Sequence, residues 1–142
     1  MERIYTAPLL DKLGVRPGMR VAIVGTLEDD DEEPEGGQPF AERLAERTHE
    51  VTIGPPKPET DLVFLAADST AELEALASLR PKLKETGAIW VVSRKGRAAT
   101  LRDVEVMAAG RAHDLIDNKV VAFSSRRTSL RLVVPVGLRG RR

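Results

Sequence analysis

Short apolar runs recur along the chain at intervals that leave room for one helix between most of them, and this spacing constrains the fold more than any other feature. Arg20-Val21-Ala22-Ile23-Val24-Gly25, introduced by the turn-forming pair Pro17-Gly18, reads as a buried strand. Glu50-Val51-Thr52-Ile53 is a second strand, closed by Gly54-Pro55-Pro56-Lys57-Pro58, which can continue neither a helix nor a ladder. Leu62-Val63-Phe64-Leu65-Ala66 and Ala88-Ile89-Trp90-Val91-Val92 follow, apolar on both faces as strands covered by helices on two sides must be. Two further strands, about 115–124 and 128–135, are joined by Ser124-Ser125-Arg126-Arg127, a length that fits a hairpin and an antiparallel pair.

Helical patterns fill the intervals. Phe40, Ala41, Leu44 and Ala45 share one face over 38–48. Ser69-Thr70-Ala71-Glu72 has the spacing of a capping box and opens a helix carrying Leu73, Leu76 and Ala77, which Pro81 ends in a last turn before Gly87. Thr100-Leu101-Arg102-Asp103 starts a third helix with Val104, Met107 and Ala108 expected inward. Strands alternating with helices predict an α/β fold, doubly wound, with a mainly parallel sheet and right-handed crossovers.

The chain of 142 residues predicts one domain over 1–142 that buries roughly 70% of the surface of its unfolded chain. It has no cysteine, which excludes disulfides, thiolate metal ligands and a thiol nucleophile. Neither a membrane span nor a signal peptide is legible, so the expected location is cytoplasmic, with no membrane partner. The formal net charge of zero hides an asymmetry. Residues 1–93 hold 10 basic and 18 acidic side chains, and residues 94–142 hold 12 basic and 4 acidic, giving −8 and +8. Seven of the acids fall within Glu28–Glu35, and 28–37 reads as an acidic mobile loop because nothing between Leu27 and Phe40 can pack. Residues 137–142 read as a basic tail.

Ligands of an open parallel sheet sit outside the carboxyl ends of its strands. Four segments are expected there: Gly25-Thr26-Leu27, Gly54-Pro55, Ala67-Asp68-Ser69 and Ser93-Arg94-Lys95-Gly96. The ligand-binding candidates are Gly25, Thr26, Asp68, Ser93, Arg94, Lys95 and Arg97. Gly25 permits either a close backbone approach by a ligand or simply a sharp bend. Asp68 suits a ribose hydroxyl or a base, yet an acid beside a helix start is equally explained by the helix dipole. Ser93, Arg94, Lys95 and Arg97 combine cations with a helix N-terminus and suit an anion. His49 and His113 have no metal-ligand spacing, and no metal site is expected. Ser124, Ser125 and Ser129 have no histidine nearby in sequence and there is no G-x-S-x-G turn, so no catalytic residue can be named. Five aromatic residues are few for a reader of single-stranded nucleic acid, and Trp90 reads as core.

Leu13-Gly14-Val15-Arg16-Pro17-Gly18-Met19-Arg20-Val21-Ala22-Ile23-Val24-Gly25 resembles the approach to the first strand of class I S-adenosylmethionine-dependent methyltransferases. Leu83-Lys84-Glu85-Thr86-Gly87-Ala88-Ile89-Trp90-Val91-Val92 resembles the approach to their fifth strand, and the closing hairpin resembles the end of that fold. Tyr5-Thr6-Ala7-Pro8-Leu9-Leu10-Asp11-Lys12-Leu13-Gly14, Arg94-Lys95-Gly96 and Leu115-Ile116-Asp117-Asn118-Lys119-Val120 resemble an uncharacterised family of small bacterial proteins that look like shortened methyltransferase domains. The resemblance implies a Rossmann-like, six-stranded sheet in the order 2-1-3-4-6-5 with the last strand antiparallel.

The chain departs from that pattern at three places. Gly25 is followed by Thr26, Leu27 and six consecutive acids where such methyltransferases have a glycine-rich turn, and Gly54-Pro55-Pro56 stands where they place the ribose-binding acid. Only eight residues separate Ile53 from Leu62, too few for the helix–strand unit that completes their seven-stranded sheet. The expectation is therefore a non-catalytic, methyltransferase-like module without a cofactor, binding a protein partner or an anionic small molecule at the strand ends. The alternative is an active small methyltransferase holding S-adenosylmethionine in a variant pocket around Gly25, Thr26 and Asp68. A third reading is weak nucleic-acid binding by the Arg-rich C-terminal part.

Overall fold

A computed structural model of the chain describes residues 8–28 and 37–140. The acidic stretch at 29–36 and the last two residues of the basic tail lie outside the described residues. Six strands form one sheet in the order β2-β1-β3-β4-β6-β5. They are β1 (Arg20–Val24), β2 (Glu50–Ile53), β3 (Thr60–Ala66), β4 (Leu83–Arg94), β5 (Ile116–Ala122) and β6 (Arg127–Val133). β2, β1, β3 and β4 are parallel neighbours, and β6 runs antiparallel to both β4 and β5. The order and the single reversed strand agree with the expectation.

Helices cover both faces, which is why β1, β3 and β4 are buried on alternate residues of either parity. On one face Val21, Ile23, Phe64, Trp90 and Val92 pack under α1 (Leu9–Lys12) and α2 (Phe40–Arg47). Trp90 is fully buried there, and its indole N–H donates to the Leu13 carbonyl at 3.1 Å. On the other face Ala22, Val63, Leu65, Ile89 and Val91 pack under Leu73, Leu76, Leu79 and α4 (Asp103–Ala112).

The segment after β3 is less regular than the sequence predicts. Ser69 and Glu72 do close a cap, with Ser69 Oγ accepting from the Glu72 N–H at 3.2 Å and the Glu72 carboxylate accepting from the Asp68 N–H at 2.9 Å. The helix then runs as a 3₁₀ turn (Glu72–Ala75), one α-turn, α3 (Leu76–Leu79), and a second 3₁₀ turn (Arg80–Lys82) containing Pro81. The last turn expected from Pro81 is this second 3₁₀ turn, and it ends short of Gly87 because β4 begins at Leu83. Asp61 holds this polar strand extension: its carboxylate accepts from the Arg20 N–H at 2.8 Å and pairs with Lys84 at 3.3 Å. The ladder shifts register between Thr60 and Leu62, and Gly87 lies against Asp61 so closely that a Cβ there would sit 2.5 Å from the Asp61 carbonyl oxygen.

The second correction concerns α4. Met107 packs partly buried against the core as expected, but Val104 is 60% exposed and Ala108 is exposed, whereas Val106 and Gly110 face the sheet. Gly110 decides the orientation, since a Cβ at that position would already lie 3.1 Å from the Leu132 side chain. β2 and β3 are joined by residues 54–59 alone, with no helix, where the resemblance implied a lost helix–strand unit. Among the described residues no helix is long and apolar enough to cross a membrane.

Candidate functional site

The four segments expected at the carboxyl edge of the sheet do meet there, and backbone hydrogen bonds explain how. The Gly54 N–H donates to the Ile23 carbonyl at 2.8 Å, drawing the end of β2 onto β1, and the Ala67 N–H donates to the Val92 carbonyl at 3.0 Å, drawing the end of β3 onto β4. Lys95 N–H donates to the Arg126 carbonyl at 3.0 Å, which fixes the end of β4 to the β5–β6 hairpin.

Asp68 is the hub of this edge. Its Oδ1 accepts from the Arg94 N–H at 2.8 Å, and its carbonyl accepts from the Thr100 hydroxyl. One residue thus ties β3, β4 and the loop leading to α4. Ser93 is buried and pairs with Thr128 of β6, while Arg97 is exposed in a 3₁₀ turn (Gly96–Ala98).

Gly25 has φ 91°, a left-handed conformation that favours glycine, and a Cβ there would lie 3.0 Å from the Ala66 Cβ. Gly25 and Thr26 are exposed. They line a cavity of about 260 Å³ together with Leu27, Glu28, Phe40 and Ile53. Glu28 accepts from the Phe40 N–H at 3.1 Å and so serves the start of α2. Phe40 is 2% exposed, packed edge-on against Phe64 at 5.0 Å and tilted against Phe123 at 4.7 Å.

At the other end of the edge lies a cavity of about 600 Å³ between the end of β4, the start of α4 and the start of β6. Arg94, Lys95, Arg102, Asp103, Val104 and Thr128 line it, three cations against one carboxylate. Arg102 begins α4, its backbone N–H donating to the Glu105 carboxylate at 3.0 Å and its Nε pairing with the same oxygen at 3.4 Å. That backbone hydrogen bond holds the Glu105 carboxyl below its ordinary pKa. Arg94 and Lys95 were read from the sequence. Arg102 and Thr128 were not, although the start of α4 was recognised; Thr128 reaches the site only because the hairpin returns β6 alongside β4. The structure therefore separates the sequence candidates into two groups: Gly25 and Thr26 on one cavity, Arg94 and Lys95 on the other, with Asp68 between them.

His49 precedes β2 and His113 follows α4, and among the described residues no group of three or more histidines and carboxylates has the arrangement of a metal site.

No family model and no curated protein matches the chain. Solved structures do. An S-adenosylmethionine-dependent methyltransferase from Aquifex aeolicus aligns over 89% of this chain and 88% of its own, with a TM-score of 0.57 and 16% identity. Magnesium protoporphyrin IX methyltransferase from Synechocystis PCC 6803, solved with bound S-adenosylmethionine, aligns over 89% of this chain and 74% of its own, with a TM-score of 0.56 and 11% identity. The pyocyanin biosynthetic protein PhzM aligns over 89% of this chain but 53% of its own, with a TM-score of 0.58 and 14% identity, so the chain spans about half of that relative's length. The chain has the fold of the class I S-adenosylmethionine-dependent methyltransferases, in a short six-stranded form.

Proposed function

We propose that the chain is a binding module on a methyltransferase fold, and that it holds an anionic small molecule at the carboxyl end of β4 through Arg94, Lys95 and Arg102, with Arg97 nearby. The observation that carries this reading is the contrast in size and charge along one sheet edge. The cavity beside Arg94 and Lys95 has about 600 Å³, within the range of roughly 300–1,000 Å³ for small-molecule sites, and the one beside Gly25 has about 260 Å³. Three cationic side chains around one volume suit an anion, Arg by its planar fork and Lys as a point charge.

Calorimetry with inorganic pyrophosphate at low salt tests the proposal. Binding should be measurable, weaken as salt is raised, and be lost in the double variant Lys95→Glu, Arg102→Glu; S-adenosylmethionine should give no heat. Pyrophosphate without effect at low salt, or a micromolar dissociation constant for S-adenosylmethionine, overturns it.

The second reading is a small methyltransferase with S-adenosylmethionine beside Gly25, Thr26 and Asp68. It is favoured by the exposed Gly25-Thr26 turn at the end of β1 in a fold shared with cofactor-binding methyltransferases. It requires cofactor binding that Gly25→Arg abolishes while Lys95→Glu leaves it intact.

A further inference from the structure

The cationic cavity is two-sided. Arg94, Lys95 and Arg102 lie with Asp103 on its lining, but Ala99, Leu101 and Val104 line the same volume. Val104 is the informative residue. It is a β-branched side chain on the first turn of α4, 60% exposed, while the helix packs against the sheet through Val106 and Gly110. The core therefore does not require an apolar residue at position 104, and the side chain is left on the cavity lining.

The size of the cavity points the same way. Its volume of about 600 Å³ leaves room beyond a phosphate group. Asp103 on the lining opposes a second anionic group. No aromatic side chain lines the cavity, so a nucleobase or other flat ring would have nothing to stack on. Three cations against one carboxylate give the lining a net charge of +2, closer to the roughly −1.5 to −2 of a phosphate monoester than to the single charge of a carboxylate.

We infer that the ligand is an aliphatic phosphate monoester, its head held by Arg94, Lys95 and Arg102 and its chain laid over Ala99 and Val104, the exposed apolar residues of the lining. This rests on the anion-binding reading and adds the class of ligand. A soluble alkyl phosphate and a phospholipid share this chemistry, and the test separates them.

The full chain is titrated calorimetrically with inorganic phosphate, methyl phosphate and hexyl phosphate, and sedimented with phosphatidic acid vesicles. Hexyl phosphate should bind about tenfold more tightly than methyl phosphate, from the burial of part of five additional methylenes. Val104→Ser should remove most of that difference and leave methyl phosphate unchanged; the exposed site makes the variant safe for folding, and retained methyl phosphate binding verifies it. Co-sedimentation with vesicles, weakened by Val104→Ser, together with the hexyl preference, assigns the chain to a lipid; the hexyl preference without co-sedimentation assigns it to a soluble ester. Equal affinities for all three phosphates overturn the inference and leave the anion site standing. No binding of any phosphate overturns both.

Discussion

The two ends of one sheet edge are built from the same kind of strand and differ in what the following turn does. At the β1 end, Gly25 bends the chain back and Leu27 and Phe40, 5% and 2% exposed, fill the space above the strand. At the β4 end, the chain leaves through Gly96 and the α4 helix starts at some distance, so that the hairpin and the helix flank a cavity more than twice as large. The acidic first part of the chain supplies the filled end, and the basic second part supplies the open one. On a fold shared with a methyltransferase solved with bound S-adenosylmethionine, the cationic cavity of this chain lies at the β4 end, away from the β1 turn.

The largest effect expected along this edge is at the filled end. Phe40→Ala removes a buried ring from between Phe64 and Phe123 and should lower unfolding free energy by about 3–5 kcal/mol. Chemical denaturation measures it. Pyrophosphate affinity of the folded fraction should stay within twofold, because none of the three rings lines the cationic cavity; a parallel loss would mean that the two ends are one site.

Asp68 lies between the ends, and Asp68→Ala should affect both stability and binding. It removes the acceptor of the Arg94 N–H and should cost about 1–3 kcal/mol in stability. It also frees the end of β4, so anion affinity should fall although Asp68 does not line the cavity. Asp68→Asn keeps an acceptor oxygen in place and should recover most of both. If Asp68→Ala instead abolishes S-adenosylmethionine binding with pyrophosphate unaffected, the cofactor reading gains the residue and the hub role is lost.

How much of this was legible in the sequence depended on whether local pattern or distant contact decided each feature. The strand runs, the hairpin and the buried Trp90 were readable from apolar spacing, and the strand order from the resemblance. The first half of β4 was not: Lys84-Glu85-Thr86-Gly87 is polar, and the contacts that hold it are distant in sequence, Thr60 pairing with Leu83, Asp61 with Lys84, and the Gly140 N–H donating to the Glu85 carboxylate. The face of α4 was misread because Val104 and Val106, two apart, cannot both point inward on a helix. Gly110 held the missing signal, since a glycine inside a helical pattern marks close packing and selects the residue four positions earlier, Val106. Of the cavity, Arg94 and Lys95 were visible as a basic strand end. Arg102 and Thr128 join them only through the tertiary arrangement of α4 and β6.

The smallest effect belongs to Glu105, which supports the open end by holding Arg102 at the start of α4. Its carboxyl is held below its ordinary pKa first by the Arg102 backbone N–H, with burial opposing and the Arg102 side chain adding to the lowering. A carboxyl with a depressed folded-state pKa contributes stability that is fully present above its unfolded value, about 4.3, and is lost as pH falls through the lower folded value. The stability difference between wild type and Glu105→Gln should therefore be small and constant from pH 7 to 5 and vanish in more acid solution, as read by denaturant midpoints across that range. Because Arg102 is the cation that Glu105 orients, the variant should also weaken pyrophosphate binding slightly at pH 7. A difference that grows on acidification would mean that the carboxyl acts protonated, and that the start of α4 is held by something other than this charge-assisted bond.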